Sequence, residues 1–175
     1  MLFLELSKED SEKWISKILD TIDLIPDIAK ATKQWYESEK EELKRFKNII
    51  VIGYDKCLPA ATEGALKILE TVQCCVRYYE LEEFMHGIYH GIDKSTLILA
   101  LGNQSRHLNR MVRLLGYLKE HKNATTYLIS QNKVIKHDFS YPFIEDSLFV
   151  SFEYLTVLQV LGELMCHDRG VDLYD

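Results

Sequence analysis

The sequence predicts an α/β fold, a three-layer αβα sandwich around a five-stranded parallel sheet, with a helical arm ahead of it. Three observations point there. From Asn48 onward, short apolar runs alternate with stretches of helical periodicity, the pattern of βαβ crossovers. The runs are apolar on both faces, as strands covered from both sides must be. Residues 7–47 differ from the rest: they are charged, lack glycine and carry a helical period throughout.

In the arm, Ser7 to Asp10 offer capping residues, and Trp14, Ile15, Ile18, Leu19 and Ile22 recur at helical spacing. Pro26 is expected to break or restart the helix, because proline removes a rung of the hydrogen-bond ladder. A second helix then runs from about Asp27 to Phe46, with Ile28, Ala31, Trp35 and Leu43 inward and a solvated Glu37–Arg45 face of acid–base pairs. Asn48–Gly53 reads as the first strand, followed by a helix over about Leu58–Val72 whose stripe is Ala61, Ala65, Ile68, Leu69 and Val72. Short strands follow at Cys75–Tyr78 and Thr96–Ala100. A helix over about Ser105–His121 buries Leu108, Met111, Val112, Leu115 and Leu118. Thr125–Ile129 is the fourth strand and Val134–Phe139 the fifth. The last helix, about Phe152–His167, is apolar nearly all round and wants more than its own sheet to cover it. The arm therefore spans residues 1–47 and the α/β domain residues 48–175.

The 175 residues fit one domain at about 150 residues per domain. A hydrophobic share of 47% excludes a disordered chain. The longest apolar runs, Ile49–Ile52 and Leu97–Leu101, fall far short of the roughly 18 residues of a membrane helix, and the acidic N-terminus lacks the basic region of a signal peptide. The expectation is a cytoplasmic protein with no membrane partner. A net charge of −6 argues against nucleic acid. Of the four cysteines, Cys74 and Cys75 are adjacent and make neither a CxxC pair nor a disulfide framework, which indicates reduced thiols.

The residues offer several chemistries. Glu82, His86 and His90 fall at i, i+4 and i+8 and could form a metal face on one helix, but Gly87 and Gly91 argue against a continuous helix there. The same histidine, in a glycine-punctuated loop among carboxylates, suits acid–base catalysis; it equally suits a loop histidine bonded only to backbone. Glu70 stands near the carboxyl end of its helix, where the helix dipole disfavours a carboxylate; that suits a proton-transfer base, or simply a solvated helix end. The basic residues Arg106, Arg110, Arg113, Lys119 and Lys122 alternate with a buried stripe and read as a solvated face. Gly53–Thr62 lies where a doubly wound sheet binds ligands, yet holds a single glycine and no dinucleotide, P-loop or nucleophile-elbow motif.

Val51-Ile-Gly-Tyr54, Ala60-Ala-Thr-Glu-Gly-Ala-Leu-Lys67, Glu70 and Glu83-Phe-Met-His-Gly87 together resemble a sugar isomerase (SIS) domain. The likeness is to its second copy in the isomerase half of glucosamine-6-phosphate synthase and in fructosamine-6-phosphate deglycases. It covers about residues 48–170, and Glu70 and His86 keep the family spacing without a gap. The resemblance implies a flavodoxin-like sheet, a sugar phosphate as small-molecule partner, and pairing as a homodimer or with another SIS domain. It also implies catalysis without metal or redox cofactor. By the same resemblance Glu70 is the base that moves a proton between C1 and C2, and His86 assists ring opening from across a dimer interface. Lys67 helps hold the site, Glu83 is structural or orients substrate, and Tyr54 and Thr62 join the substrate-binding set.

The sequence also departs from the family. Ile88 replaces the proline after His-Gly, and Asp55 interrupts the usual Gly-x-Gly turn. The serine/threonine-rich phosphate loop is missing; after Thr96–Ala100 the chain reads Leu101-Gly-Asn-Gln-Ser105. The synthase-type tail with its catalytic lysine is not present before Asp175. The expected function is a phosphosugar-binding SIS domain of a phosphosugar isomerase or deglycase. The alternatives are a non-catalytic phosphosugar-binding or regulatory module, or the C-terminal half of a two-SIS-domain enzyme that is inactive alone.

Overall fold

The computed structural model describes residues 11–146 and 148–172; the capping residues expected at Ser7–Asp10 lie outside them. A long helix α1 (Ser11–Leu43) leads into strand β1 (Asn48–Gly53), a 3-10 turn (Asp55–Cys57) and helix α2 (Leu58–Val72). Strand β2 (Cys75–Glu80), helix α3 (Leu81–Met85) and a second 3-10 turn (Ile88–Gly91) follow. Then come β3 (Thr96–Gly102), α4 (Leu108–Lys122), β4 (Thr125–Ser130), β5 (Phe139–Ser140) and α5 (Val150–Arg169).

The five strands are all parallel, in the order β2-β1-β3-β4-β5. Crossovers leave β1 toward one edge and β3 toward the other, so right-handed connections put α2 on one face and α4 on the opposite face. Side chains alternate accordingly. Ile49, Val51, Leu97, Leu99, Tyr127 and Ile129 join the core shared by α1, α2 and α5. Ile50, Ile52, Ile98, Ala100 and Leu128 join the core under α3 and α4.

Pro26 does not break the arm: it lies inside one continuous helix. Its missing N–H leaves a carbonyl at Ile22, which is half exposed and open to water, while Ile28, Tyr36 and Leu43 are fully buried a turn or more further on. Packing of that stripe carries the helix through the gap. The charged stretch is likewise only partly solvated. Lys40–Glu37 and Lys44–Glu41 pair at i,i+3, but Glu39 accepts from the Tyr127 hydroxyl and Glu42 from Thr125, which ties α1 to β4.

The fifth strand is shorter and later than the apolar pattern predicts. Asp138 is buried and its two oxygens accept the N–H groups of Leu128 and Ile135, each at 2.9 Å, so residues 134–138 close a turn instead of a ladder. The all-round apolar last helix is covered within the chain, by α1 on one side and α2 on the other. That packing needs close approach. A Cβ on Gly64 would lie 2.2 Å from Cδ1 of Leu158, and one on Gly162 would lie 2.9 Å from Oγ1 of Thr71.

Two stability outcomes follow from this packing. Gly64→Ala forces α2 and α5 apart and is expected to lower unfolding free energy by about 1–3 kcal/mol in urea denaturation, despite alanine's better helix propensity. Pro26→Ala restores the missing rung on an exposed face and should raise it by about 1–3 kcal/mol. A lower midpoint for the proline variant would show that the ring itself is needed.

Candidate functional site

Helix α2 presents its buried stripe of Ala61, Gly64, Ala65, Ile68 and Val72 inward. That leaves Glu63, Lys67 and Glu70 facing outward, one turn apart. Lys67 Nζ lies 3.0 Å from Glu70 Oε2 and 3.5 Å from Glu63 Oε1, and the two carboxylates raise the lysine pKa. The Glu70 side chain is half exposed. Gln73 ends the helix in the left-handed region, two residues before β2 begins.

His86 closes α3, whose start is capped by the Glu80 carboxylate accepting the N–H groups of Glu82 and Glu83. Gly87 follows at φ 144°, a conformation that favours glycine. His86 and Glu83 are exposed. Glu82 pairs with Arg110 at 2.8 Å, and His90 belongs to the next 3-10 turn, so the three residues of the possible metal face do not share one helix. No group of three or more potential metal ligands occurs among the described residues.

The spacing that joins Glu70 and His86 in sequence separates them in space. Glu70 sits where α2 returns to the amino-terminal edge of the sheet, and His86 follows the carboxyl end of β2. The six residues of β2 lie between, a span of about 17 Å. One copy of the chain brings Lys67 and Glu70 together but not Glu70 and His86. Of the other expected site residues, Thr62 is half-buried and donates to the carbonyl of Leu58 at 3.0 Å. Tyr54 is fully buried and donates to the carbonyl of Asn103 at 2.7 Å.

That last bond crosses the crevice between β1 and β3, the switch point where doubly wound sheets take their ligands. A cavity of about 390 Å3 opens there beside Asp55, Lys56, Asn103, Gln104 and Glu145. The backbone N–H of Gln104 is already held by the Glu145 carboxylate at 2.9 Å, and the Tyr154 hydroxyl donates to the same carboxylate at 2.7 Å. Glu145 adopts φ 54°, fixed by its own N–H and that of Ile144, both donated to the fully buried Glu153. Burial raises the Glu153 pKa, against the lowering effect of those two N–H groups. Burial also pushes the Cys57 thiol up, so it stays protonated. Oδ1 of Asn103 is buried without a partner. Sequence reasoning marked Gly53–Thr62 and Leu101–Ser105 as the ligand edge but missed Glu145, Glu153 and Tyr154, whose one local signal is a glutamate in the first turn of an apolar helix.

A doubly wound domain with paired charges on the first crossover helix and a histidine loop beyond the second strand defines a class of ligand-binding α/β domain. The chain belongs to the SIS domain family, whose family model matches residues 42–134. Among curated proteins it is 26% identical, over 93% of its length, to the isomerizing glutamine–fructose-6-phosphate aminotransferase of Wigglesworthia glossinidia brevipalpis, of which it covers 28%. Among solved structures it resembles a candidate phosphosugar isomerase from Clostridium difficile 630, with a TM-score of 0.84 and 30% identity. It also shares its fold with the C-terminal domain of glucosamine-fructose-6-phosphate aminotransferase from Francisella tularensis, at a TM-score of 0.70 and 18% identity. It spans 97% and 98% of itself against these two, but only 49% and 50% of them. Among the described residues, no helix is long and apolar enough to cross a membrane.

The raised pKa of Glu153 sets a sign for pH dependence. A carboxyl whose pKa is higher folded than unfolded contributes stability at low pH, and that contribution falls as pH rises from the unfolded value through the folded one. Glu153→Gln removes this titration. Relative to wild type, the variant should therefore gain stability in urea unfolding as pH rises above about 4, the ordinary carboxyl value; a pH-independent difference would contradict the assignment.

Proposed function

We propose that this chain is one SIS face of a phosphosugar isomerase or fructosamine-6-phosphate deglycase, assembled with a second SIS domain, whether another copy or a separate domain. The observation that carries this reading is the exposed Lys67–Glu70 pair, held at 3.0 Å on the outer face of α2 and an edge away from His86. Glu70 takes the proton from C2 of the open-chain sugar phosphate and returns it to C1, or the reverse. The intermediate is an enediol for a sugar or an enolamine for a fructosamine. The Lys67 ammonium, paired with Glu70 at 3.0 Å, orients the carboxylate and offsets negative charge developing beside it. His86 of the opposing face assists ring opening, which makes the assembly, cytoplasmic in this reading, the catalytic unit.

A second reading, a phosphosugar-binding or regulatory module without turnover, is favoured by the carboxylate that occupies the Gln104 amide at the switch point. The two part in deuterium oxide. With fructose 6-phosphate, the catalytic reading expects proton NMR to show loss of a hydrogen at C1, the carbon that gains and loses the proton in the C1–C2 transfer. Glu70→Gln should then slow that exchange by about a hundredfold or more while leaving the melting temperature unchanged. Stabilisation by the sugar phosphate without any exchange establishes the binding module instead.

A further inference from the structure

A second cavity, of about 530 Å3, lies at the carboxyl edge of the sheet between the His86 loop and α4. Its walls are Met85 and Tyr89, which flank His86-Gly-Ile88, and Arg110, Arg113, Leu114 and Tyr117 from α4. Tyr89 and Tyr117 meet edge to face, with centroids 5.9 Å apart. Arg110 is steered by Glu82 at 2.8 Å and by the Met85 sulfur at 3.3 Å, and so points along the groove. Arg113 is exposed and has no carboxylate partner among the described residues. Two guanidiniums facing one carboxylate is an unusual balance in a chain of net charge −6.

The usual alternative is closed. At the switch point the amide that would meet an anion is taken by Glu145, and Asp55 adds a further negative charge at the rim. A phosphate placed there would displace one carboxylate and face another. The groove offers the reverse: planar donors suited to bidentate phosphate recognition, beside aromatic faces that an apolar sugar face can cover. We propose that the Arg110–Arg113 groove is the phosphate-binding site of this chain, taking a sugar phosphate with its phosphate on Arg113 and Arg110 and its ring against Tyr89 and Tyr117. This rests on the phosphosugar reading above and adds the place of the phosphate, on the same edge as His86.

The test is calorimetric titration of the full chain with fructose 6-phosphate, inorganic phosphate and unphosphorylated fructose. Arg113→Gln and Arg110→Gln, both exposed positions, are compared with Lys56→Gln at the switch-point rim. Both phosphate-bearing probes should bind, fructose should not, and Arg113→Gln should weaken binding about tenfold while Lys56→Gln leaves it unchanged. Binding that survives both arginine changes, or that is lost in Lys56→Gln, overturns the groove and leaves the phosphosugar reading intact. Arg113-dependent binding of inorganic phosphate without fructose 6-phosphate keeps the anion site and overturns that reading. No binding of either phosphate probe overturns both.

Discussion

The charged row on the outer face of α2 depends on how closely α2 and α5 cross. Leu158 occupies the space where a side chain on Gly64 would be, and Thr71 closes on Gly162. Because two helices that interlock at glycine cannot rotate about their axes, the crossing fixes which residues of α2 meet solvent. Glu63, Lys67 and Glu70 therefore form a row because of a packing constraint on the other side of the helix. A pair of charges half in water carries little stability of its own; its geometry comes from the apolar contact behind it.

The layers were largely legible in sequence because burial and periodicity report the same fact. The continuous apolar runs at Ile49–Ile52 and Leu97–Leu101 are strands covered on both faces, and they lie at the centre of the sheet. Misreadings arose where one side chain outweighed the local pattern. Pro26 looked like a stop because propensity is local, whereas the burial of Ile28, Tyr36 and Leu43 against α5 is tertiary. Residues 134–138 looked like a strand, but Asp138 captured two backbone amides first. The last helix wanted more cover than its own sheet, and the arm of the same chain supplies it together with α2.

The site was legible as a motif and not as a place. Spacing along the chain puts Glu70 and His86 in family register, but a parallel sheet reverses direction in each crossover and carries the two to opposite edges. The convergence at the switch point was invisible for a related reason. Gln104, Glu145, Glu153 and Tyr154 converge from three segments, and no periodicity links a loop after β3 to the turn before α5.

The arm has a consequence for how the molecule can be watched. Both tryptophans of the chain, Trp14 and Trp35, sit on α1, and Trp35 packs against Tyr127 and Phe139 while its indole N–H donates to the carbonyl of His137. Indole emission thus reports the seating of α1 on the sheet, whereas circular dichroism reports the helices of all layers together. A coincident transition by both probes means that the arm and the sandwich melt as one cooperative body. An emission change that comes first means that the arm lifts away while the sheet stays folded.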